Sequence, residues 1–296
     1  MAAVDSILNE VIAAFEAAVP GQVRSYYLLG SYADGSAVPL LSDIDLLVVL
    51  RGDGRAAQAD AARQVAELCA ARSPVRLDVT LRRENELSKL HAVLQRSLKS
   101  GSRLLHGEDL RPELPEIALE PFRWAVWDGA LHFVLQILRG VERTELPLRY
   151  PDPDGEFFGY DRIRVPEWYP PDFRQGTKEL VATVSRLCSA LLADQAAVQV
   201  AGKREAFRRY AELIGDEWTP LVNAIFEACK LRWHYRVPAD AAGRARLHAL
   251  CERTLEFENH ALQRCRRYFA GLIAAGSPTG QAEAEARLNR LGRNML

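Results

Sequence analysis

The first hundred residues combine two hydrophobic patterns, one with the period of a strand and one with the period of a helix. Residues 75–81 alternate apolar and polar positions, which predicts a half-buried strand. An apolar run at 46–50 predicts that residues 43–50 form a more buried strand, and residues 25–29 predict a third. Apolar residues at helical spacing predict helices at 5–19, 55–72 and 84–100. The N-terminal part of the chain therefore contains both strands and helices.

The pattern changes after residue 112, where strand signals cease. Pro112 and Pro115 mark the predicted domain boundary, which divides the chain into residues 1–112 and 113–296. The second part has the pattern of helices, predicted at 119–142, 177–194, 203–214, 217–236, 239–274 and 280–292. We therefore predict an α+β chain in which a strand-containing domain precedes an all-α bundle.

Two aspartates, Asp43 and Asp45, open the predicted strand at 43–50. Side chains two positions apart on a strand point to the same face, so these carboxylates lie side by side. A cation relieves their repulsion, and Mg²⁺ commonly takes one or two carboxylates together with water and phosphate oxygens. Just upstream, the turn at Gly30 and Ser31 can offer backbone N–H groups to a phosphate. The combination predicts chemistry on a nucleoside triphosphate.

A third carboxylate, Asp78, lies on the polar face of the predicted strand at 75–81. If this strand runs beside the strand of Asp43 and Asp45, Asp78 joins them at one point. It would then bind the metal nearest the acceptor, or take the proton from an attacking hydroxyl. Taken alone, Asp78 also fits an ordinary solvated strand face.

Between residues 24 and 81, a small-residue turn, an aspartate pair and a strand with an isolated aspartate follow one another. The turn and the pair read Gly30-Ser31-x-Ala33-x-Gly35 and Ser42-Asp43-x-Asp45-Leu46. This order resembles the DNA polymerase beta-type nucleotidyltransferase superfamily, and within it the bacterial streptomycin/spectinomycin adenylyltransferase group. Two weaker similarities extend the resemblance. Residues 104–110 resemble the segment that often closes the catalytic domain of these enzymes, and residues 203–206 resemble a basic helix start in their helical domain. The chain departs from the pattern at Asp34, where many relatives carry arginine, so another basic residue must offset the triphosphate charge.

The resemblance implies a mixed-sheet nucleotidyltransferase domain at 1–112, followed by an α-helical domain at 113–296. It implies an enzyme that transfers a nucleoside monophosphate from a nucleoside triphosphate and releases pyrophosphate. The transferred group would be AMP from ATP, or the monophosphate of another nucleotide. The acceptor would be a hydroxyl of a small molecule, such as a cationic aminoglycoside-type antibiotic. Asp43, Asp45 and Asp78 would be the catalytic residues and would hold two Mg²⁺ ions.

The resemblance also assigns residues to the nucleotide. Gly30, Ser31 and Ser42 would bind the nucleotide from the catalytic domain, and Lys178 and Lys203 from the helical part. For both lysines the alternative interpretation is a salt bridge on the helix surface, and Lys203 also fits an ordinary solvated helix start.

The general base would be Asp78. Glu84 and Glu86, at the start of the predicted helix 84–100, are the second choices.

One segment of the helical part, residues 147–173, is irregular, rich in proline and aromatic residues and interspersed with acids. Acidic groups among aromatic rings can bind a polyamine-like cation. The alternative is that the aromatic residues pack the loop against the catalytic domain while Arg149, Arg162 and Arg164 neutralise the acids.

Two other functions remain open from the sequence. A protein- or RNA-modifying nucleotidyltransferase of the toxin–antitoxin kind is disfavoured by the large helical part. The net charge of −1 further disfavours a nucleic-acid acceptor, because such binding needs a concentrated basic surface. A non-catalytic nucleotide-binding module is disfavoured by three carboxylates aimed at one point.

Bulk features predict a cytoplasmic protein. No apolar run is long enough to span a membrane, and no signal peptide is apparent. The five cysteines match no metal or redox spacing.

Overall fold

The computed structural model describes residues 2–39, 41–52, 56–163, 175–276 and 278–292. The chain divides into two compact units, of which the first comprises Met1–Phe122 and Gln199–Glu205 and the second Arg123–Val198 and Ala206–Leu296. The first unit holds the sheet and the second consists mainly of helices. The predicted α+β class is confirmed.

Strands and helices alternate along the first unit. They are α1 (Ala2–Ala18), β1 (Val23–Leu29), the short α2 (Gly30–Ala33), β2 (Ile44–Leu50), α3 (Ala56–Arg72), β3 (Leu77–Arg83), a 3₁₀ helix (Glu84–Lys89), α4 (Ala92–Gly101), β4 (Arg103–Gly107) and a second 3₁₀ helix (Arg111–Glu113). All three predicted strands are present. The predicted helix 84–100 is instead two helices that separate at Leu90 and His91.

The four strands form one mixed sheet in the order β3-β2-β1-β4. Strand β2 is parallel to β3, whereas β1 is antiparallel to both β2 and β4. Strand β4 was not predicted from the sequence. It is a short edge strand whose residues are mostly exposed or half-buried, so it has no clear apolar alternation.

The two central strands are buried on both faces. One face, with Ile44 and Leu46, packs in a core with residues of α1 and α3, and the other, with Leu47 and Val49, packs with Leu98 of α4. Burial on both faces explains the continuous apolar run at 46–50. The polar residue Asp45 therefore stands out at the beginning of β2.

The second unit is built from helices predicted closely by the sequence. They are α5 (Leu119–His132), a π-helical turn (Phe133–Leu138), α6 (Lys178–Gln195), α7 (Lys203–Leu213), α8 (Thr219–Ala224), a second π-helical segment (Ile225–Arg232), α9 (Ala241–Ala274) and α10 (Pro278–Arg290). The first three residues of α7 belong to the first unit. Within the described ranges, no helix combines the length and apolar character needed to cross a lipid bilayer.

Candidate active site

The aspartates lie at or just before the beginning of the parallel strands β2 and β3. Asp45 on β2 pairs with Asp78 on the parallel strand β3, and on its other side with Leu29, the last residue of β1. Residues in register on neighbouring strands are about 4.8 Å apart and point to the same face. The predicted adjacency of Asp45 and Asp78 is thus present in the sheet itself, and Gly30 follows Leu29 directly.

Gly30 lies against the carboxylate of Asp45. Its φ of +63° belongs to the left-handed region, and a β-carbon built there would collide with Oδ2 of Asp45. Any other residue here would adopt a strained backbone angle and would have to shift the Asp45 carboxylate, so glycine suits the position on both counts. The turn and the aspartate pair are therefore one structural feature rather than two separate motifs.

The turn after Gly30 is held by short-range hydrogen bonds. The N–H of Asp34 donates to the Gly30 carbonyl at 3.2 Å, and the N–H of Ser36 donates to the Ser31 carbonyl at 2.9 Å. The carboxylate of Asp34 also accepts from the Ser36 N–H at 2.9 Å. Ser31 is half-buried on this turn, where its backbone can face a phosphate.

Ser42 closes the loop that leads into the aspartate pair. It is buried, its hydroxyl accepts from the Val38 N–H at 2.8 Å, and its own N–H donates to the Val38 carbonyl at 2.9 Å. The next residue, Asp43, precedes β2, and the N–H of Ile44 donates to the Arg76 carbonyl at 2.8 Å. These bonds fix the backbone on both sides of Asp43.

Arg76 is a residue that the sequence interpretation left without a role. Its guanidinium contacts both oxygens of Asp78, with Nε 3.3 Å from Oδ1 and Nη2 3.2 Å from Oδ2. Burial works to lower the pKa of Arg76, yet this pKa is raised, because the charges of all three aspartates act on it. The period of the strand could have revealed the pair, since residues two apart share a face.

A returning segment, residues 199–205, completes the first unit. The hydroxyl of Ser97 on α4 donates to the Ala201 carbonyl at 2.8 Å, and the Ala201 N–H donates to Glu205 at 2.8 Å. Nη1 of Arg204 donates to the Asp34 carbonyl at 3.2 Å. The segment thus brings Arg204 to the turn, and with it the neighbouring Lys203, which is half-buried at the start of α7.

Residues 8–101 match the family model of the nucleotidyltransferase domain. The chain carries a nucleotidyltransferase domain. It is an enzyme of the nucleotidyltransferase class, as the motif predicted, and the matched residues include the turn, the aspartate pair and Asp78.

Two solved structures show similarity to the chain. The crystal structure of spectinomycin adenyltransferase AAD(9) from Enterococcus faecialis with ATP and spectinomycin has a TM-score of 0.51 and 14% identity, and the match covers 87% of this chain and 98% of that one. A toxin–antitoxin structure with AMP-PNP has a TM-score of 0.27 and 22% identity, covering 44% of this chain and 90% of that one. No curated protein matches the chain. The first structure shows a shared fold, and the second is too dissimilar to support an argument.

The donor set of the nucleotidyltransferase domain suits Mg²⁺. Among the residues that the structure describes, no group of three or more His, Cys, Asp or Glu side chains is already arranged as a metal cluster. The three aspartates nevertheless offer only oxygen ligands, at the beginning of adjacent strands, and their combined field acts on Arg76. Oxygen-only ligation is what Mg²⁺ prefers, so the residues fit this ion.

Glu84 and Glu86 are wrong as second choices for the general base. Glu84 follows the far end of β3, six residues after Asp78, which corresponds to about 20 Å along the strand. It accepts from Arg24 at 2.8 Å and from the Gly52 N–H at 2.9 Å. Glu86 accepts from the backbone of its own 3₁₀ turn. Both residues therefore lie beyond the opposite end of β3 from Asp78.

Lys178, the other lysine predicted to bind nucleotide, is half-buried and begins α6 in the second unit. Two further polar residues of α6 are engaged within the helical unit. The hydroxyl of Thr183 donates to the Glu179 carbonyl at 2.8 Å. The guanidinium of Arg186 lies 4.0 Å from the centre of the Phe133 ring.

The described part of the irregular segment, residues 147–163, is packed within the second unit. Phe157 and Tyr160 are fully buried, and the Tyr160 hydroxyl donates to Glu258 on α9 at 2.8 Å. Three of its acids have partners, namely Arg162 for Asp152, Arg244 for Glu156 and Gln175 for Asp161. The pair of Arg162 with Asp152 agrees with the predicted neutralisation of the acids. The segment packs on α9, whereas the prediction had it packed against the catalytic domain. Arg164 lies outside the described residues.

Replacing Gly30 by alanine tests the contact with Asp45. We expect Gly30→Ala to weaken the binding of an ATP analogue in Mg²⁺ at least tenfold, because the methyl group must displace the Asp45 carboxylate. Gly21→Ala is the matched control, since Gly21 has a φ of +66° but open space around it. Both variants should lose about 1–2 kcal/mol of stability from the backbone angle. Equal binding by the two variants would show that the contact does not matter.

Proposed function

We propose that the protein is a Mg²⁺-dependent adenylyltransferase that transfers AMP from ATP to a hydroxyl of a small, cationic molecule such as an aminoglycoside-type antibiotic. The observation that carries the proposal is the register of Asp45 with Asp78 on adjacent strands, with Gly30 in contact with Asp45. A turn that can face a phosphate and the acidic side chains then lie at the same end of these strands, which supports the proposal. The similar spectinomycin adenyltransferase, crystallised with ATP and spectinomycin, supports the choice of both substrates.

In the proposed reaction, the acceptor oxygen forms a bond to the α-phosphorus of ATP. The bond between this phosphorus and the bridging oxygen breaks, and pyrophosphate leaves with the electron pair. Asp78 accepts the proton of the acceptor hydroxyl. The backbone N–H groups at Gly30 and Ser31 bind phosphate oxygens, and Lys203 adds a positive charge.

Asp43 and Asp45, together with Asp78, would hold the metal. Two bound Mg²⁺ ions would supply neutralisation of the phosphate charge and a lower pKa for the acceptor hydroxyl. The protein itself contributes the alignment of the carboxylates, which the β2–β3 register fixes before any ligand arrives. Such preorganisation is the main source of rate enhancement in phosphoryl-group transfer.

Mass spectrometry of a substrate panel tests the proposal. The protein is incubated with Mg²⁺, each of the four nucleoside triphosphates and a mixture of aminoglycosides, lincosamides and other hydroxylated compounds. We expect one panel member to gain the mass of AMP, and the Asp43→Ala/Asp45→Ala protein to give none. An adduct on the protein itself would contradict the small-molecule acceptor and favour the protein-modifying type of reaction. Absence of any adduct, with a folded protein that binds ATP, would contradict transfer to this class of acceptor.

A further inference from the structure

Arg76 holds the carboxylate that the proposed metal site needs. Both oxygens of Asp78 are engaged by two guanidinium nitrogens, at 3.2 and 3.3 Å. The side chains are 38% and 46% exposed, so solvent and ions can reach the pair. The backbone of Arg76 is fixed independently of its side chain, because its carbonyl accepts the Ile44 N–H. The guanidinium can therefore leave Asp78 without disturbing the sheet.

The pair and a bound divalent cation compete for the same atoms. The forked Arg76 takes one lone pair on each oxygen of Asp78, and these are the two lone pairs that a chelating metal would need. A guanidinium next to the metal also repels it. Without any cation, three aspartates at the beginning of neighbouring strands would repel one another, and Arg76 supplies positive charge at this point.

We infer that Arg76 is a built-in counterion that occupies Asp78 until a divalent cation displaces it, and that it thereby sets the metal affinity of the site. The inference rests on the proposed function, in which Asp43, Asp45 and Asp78 hold the metal. Arg76 is a positioning residue, since it acts through Asp78. It keeps the acidic site assembled in the metal-free protein, and its removal strengthens metal binding.

The chain offers a matched control a short distance further along the sequence. Arg82 is exposed near the other end of β3, where its Nη1 donates to the Leu81 carbonyl at 2.7 Å. It has the same residue type and charge as Arg76, which lies directly before β3. Replacing either arginine by glutamine changes the overall charge equally, so only a local effect can separate the two variants.

The experiment measures the binding of Mn²⁺ alone, in place of Mg²⁺, by electron paramagnetic resonance of the free ion, with no nucleotide present. We expect Arg76→Gln to bind Mn²⁺ about fivefold more tightly than the unaltered protein or more, the scale of one lost ion pair. Arg82→Gln should stay within about twofold, because a charge that far away is screened. Arg76→Lys keeps the charge but loses the fork, so its affinity should lie between those of the unaltered protein and Arg76→Gln.

The outcomes separate this inference from the proposed function. If the unaltered protein binds Mn²⁺, the Asp43→Ala/Asp45→Ala protein does not, and Arg76→Gln binds no more tightly, the counterion role is overturned and the metal site stands. If neither the unaltered protein nor Arg76→Gln binds Mn²⁺, the counterion role and the proposed metal site are both overturned. Thermal melting verifies that each variant is folded. Should Arg76→Gln unfold, an Arg76→Lys affinity equal to that of the unaltered protein contradicts the inference.

Discussion

Replacing Asp45 by asparagine should abolish nucleotidyl transfer while leaving the protein folded. Asparagine has nearly the size of aspartate, so the contact with Gly30 remains, but the charge proposed to bind Mg²⁺ is lost. We expect the rate to fall about a thousandfold or more, the scale seen when a group that stabilises transition-state charge is removed. The measurement is the initial rate of pyrophosphate release with the acceptor identified by mass spectrometry.

Glu86→Gln is the control for this prediction. Glu86 is exposed and lies beyond the far end of β3, where its carboxylate accepts the Arg83 N–H. Glutamine can also make this bond. Its rate should stay within about twofold of that of the unaltered protein, as expected for a surface change away from the site. A rate loss shared by both variants would argue against a special role for Asp45.

The second large effect concerns stability and a buried ion pair in the helical unit. Nη2 of Arg139 lies 2.5 Å from Oε2 of Glu258, and the two side chains are 6% and 0% exposed. The same oxygen accepts from Tyr160, whereas Oε1 of Glu258 has no hydrogen-bond partner among the described residues. Burial works to lower the pKa of Arg139, but Glu258 raises it, so the guanidinium stays charged.

Arg139→Met should therefore reduce the free energy of unfolding by about 3–5 kcal/mol, because it leaves a buried carboxylate without its counterion. Urea denaturation followed by circular dichroism measures the change. The same substitution in the exposed pair of Arg63 and Asp60 should cost about 1 kcal/mol or less. Adding Glu258→Gln to Arg139→Met should restore part of the loss. No recovery in the double variant would mean that lost packing, not the unpaired charge, causes the effect.

The sequence predicted those parts of the fold that depend on local pattern. The apolar run at 46–50 and the alternation at 75–81 each gave a strand, and helical spacing gave nearly every helix of the second unit. Strand β4 was missed because an exposed edge strand needs no alternation. The break at Leu90 and His91 was missed because its leucines retain helical spacing on both sides.

The candidate site was predictable where residues share one strand and not where they meet through topology. The spacing of Asp43 and Asp45 implied a shared face, and their adjacency to Asp78 followed from assuming that the two strands are neighbours. The same spacing rule applies to Arg76 and Asp78, yet pairing there also depends on the rotamers of two side chains. The bond from Arg204 to Asp34 joins residues 170 positions apart, and no local pattern encodes such a contact.

The return of residues 199–205 to the first unit means that the catalytic part of this protein is not one continuous stretch of gene. A fragment ending at Phe122 would omit seven residues of its own fold, and would leave the Ser97 hydroxyl and the Asp34 carbonyl without the partners described above. The nucleotidyltransferase domain cannot be cut out and joined to a different helical part by a single crossover after the sheet. Recombination that preserves it must carry both pieces, so the two parts of the chain are expected to be inherited together.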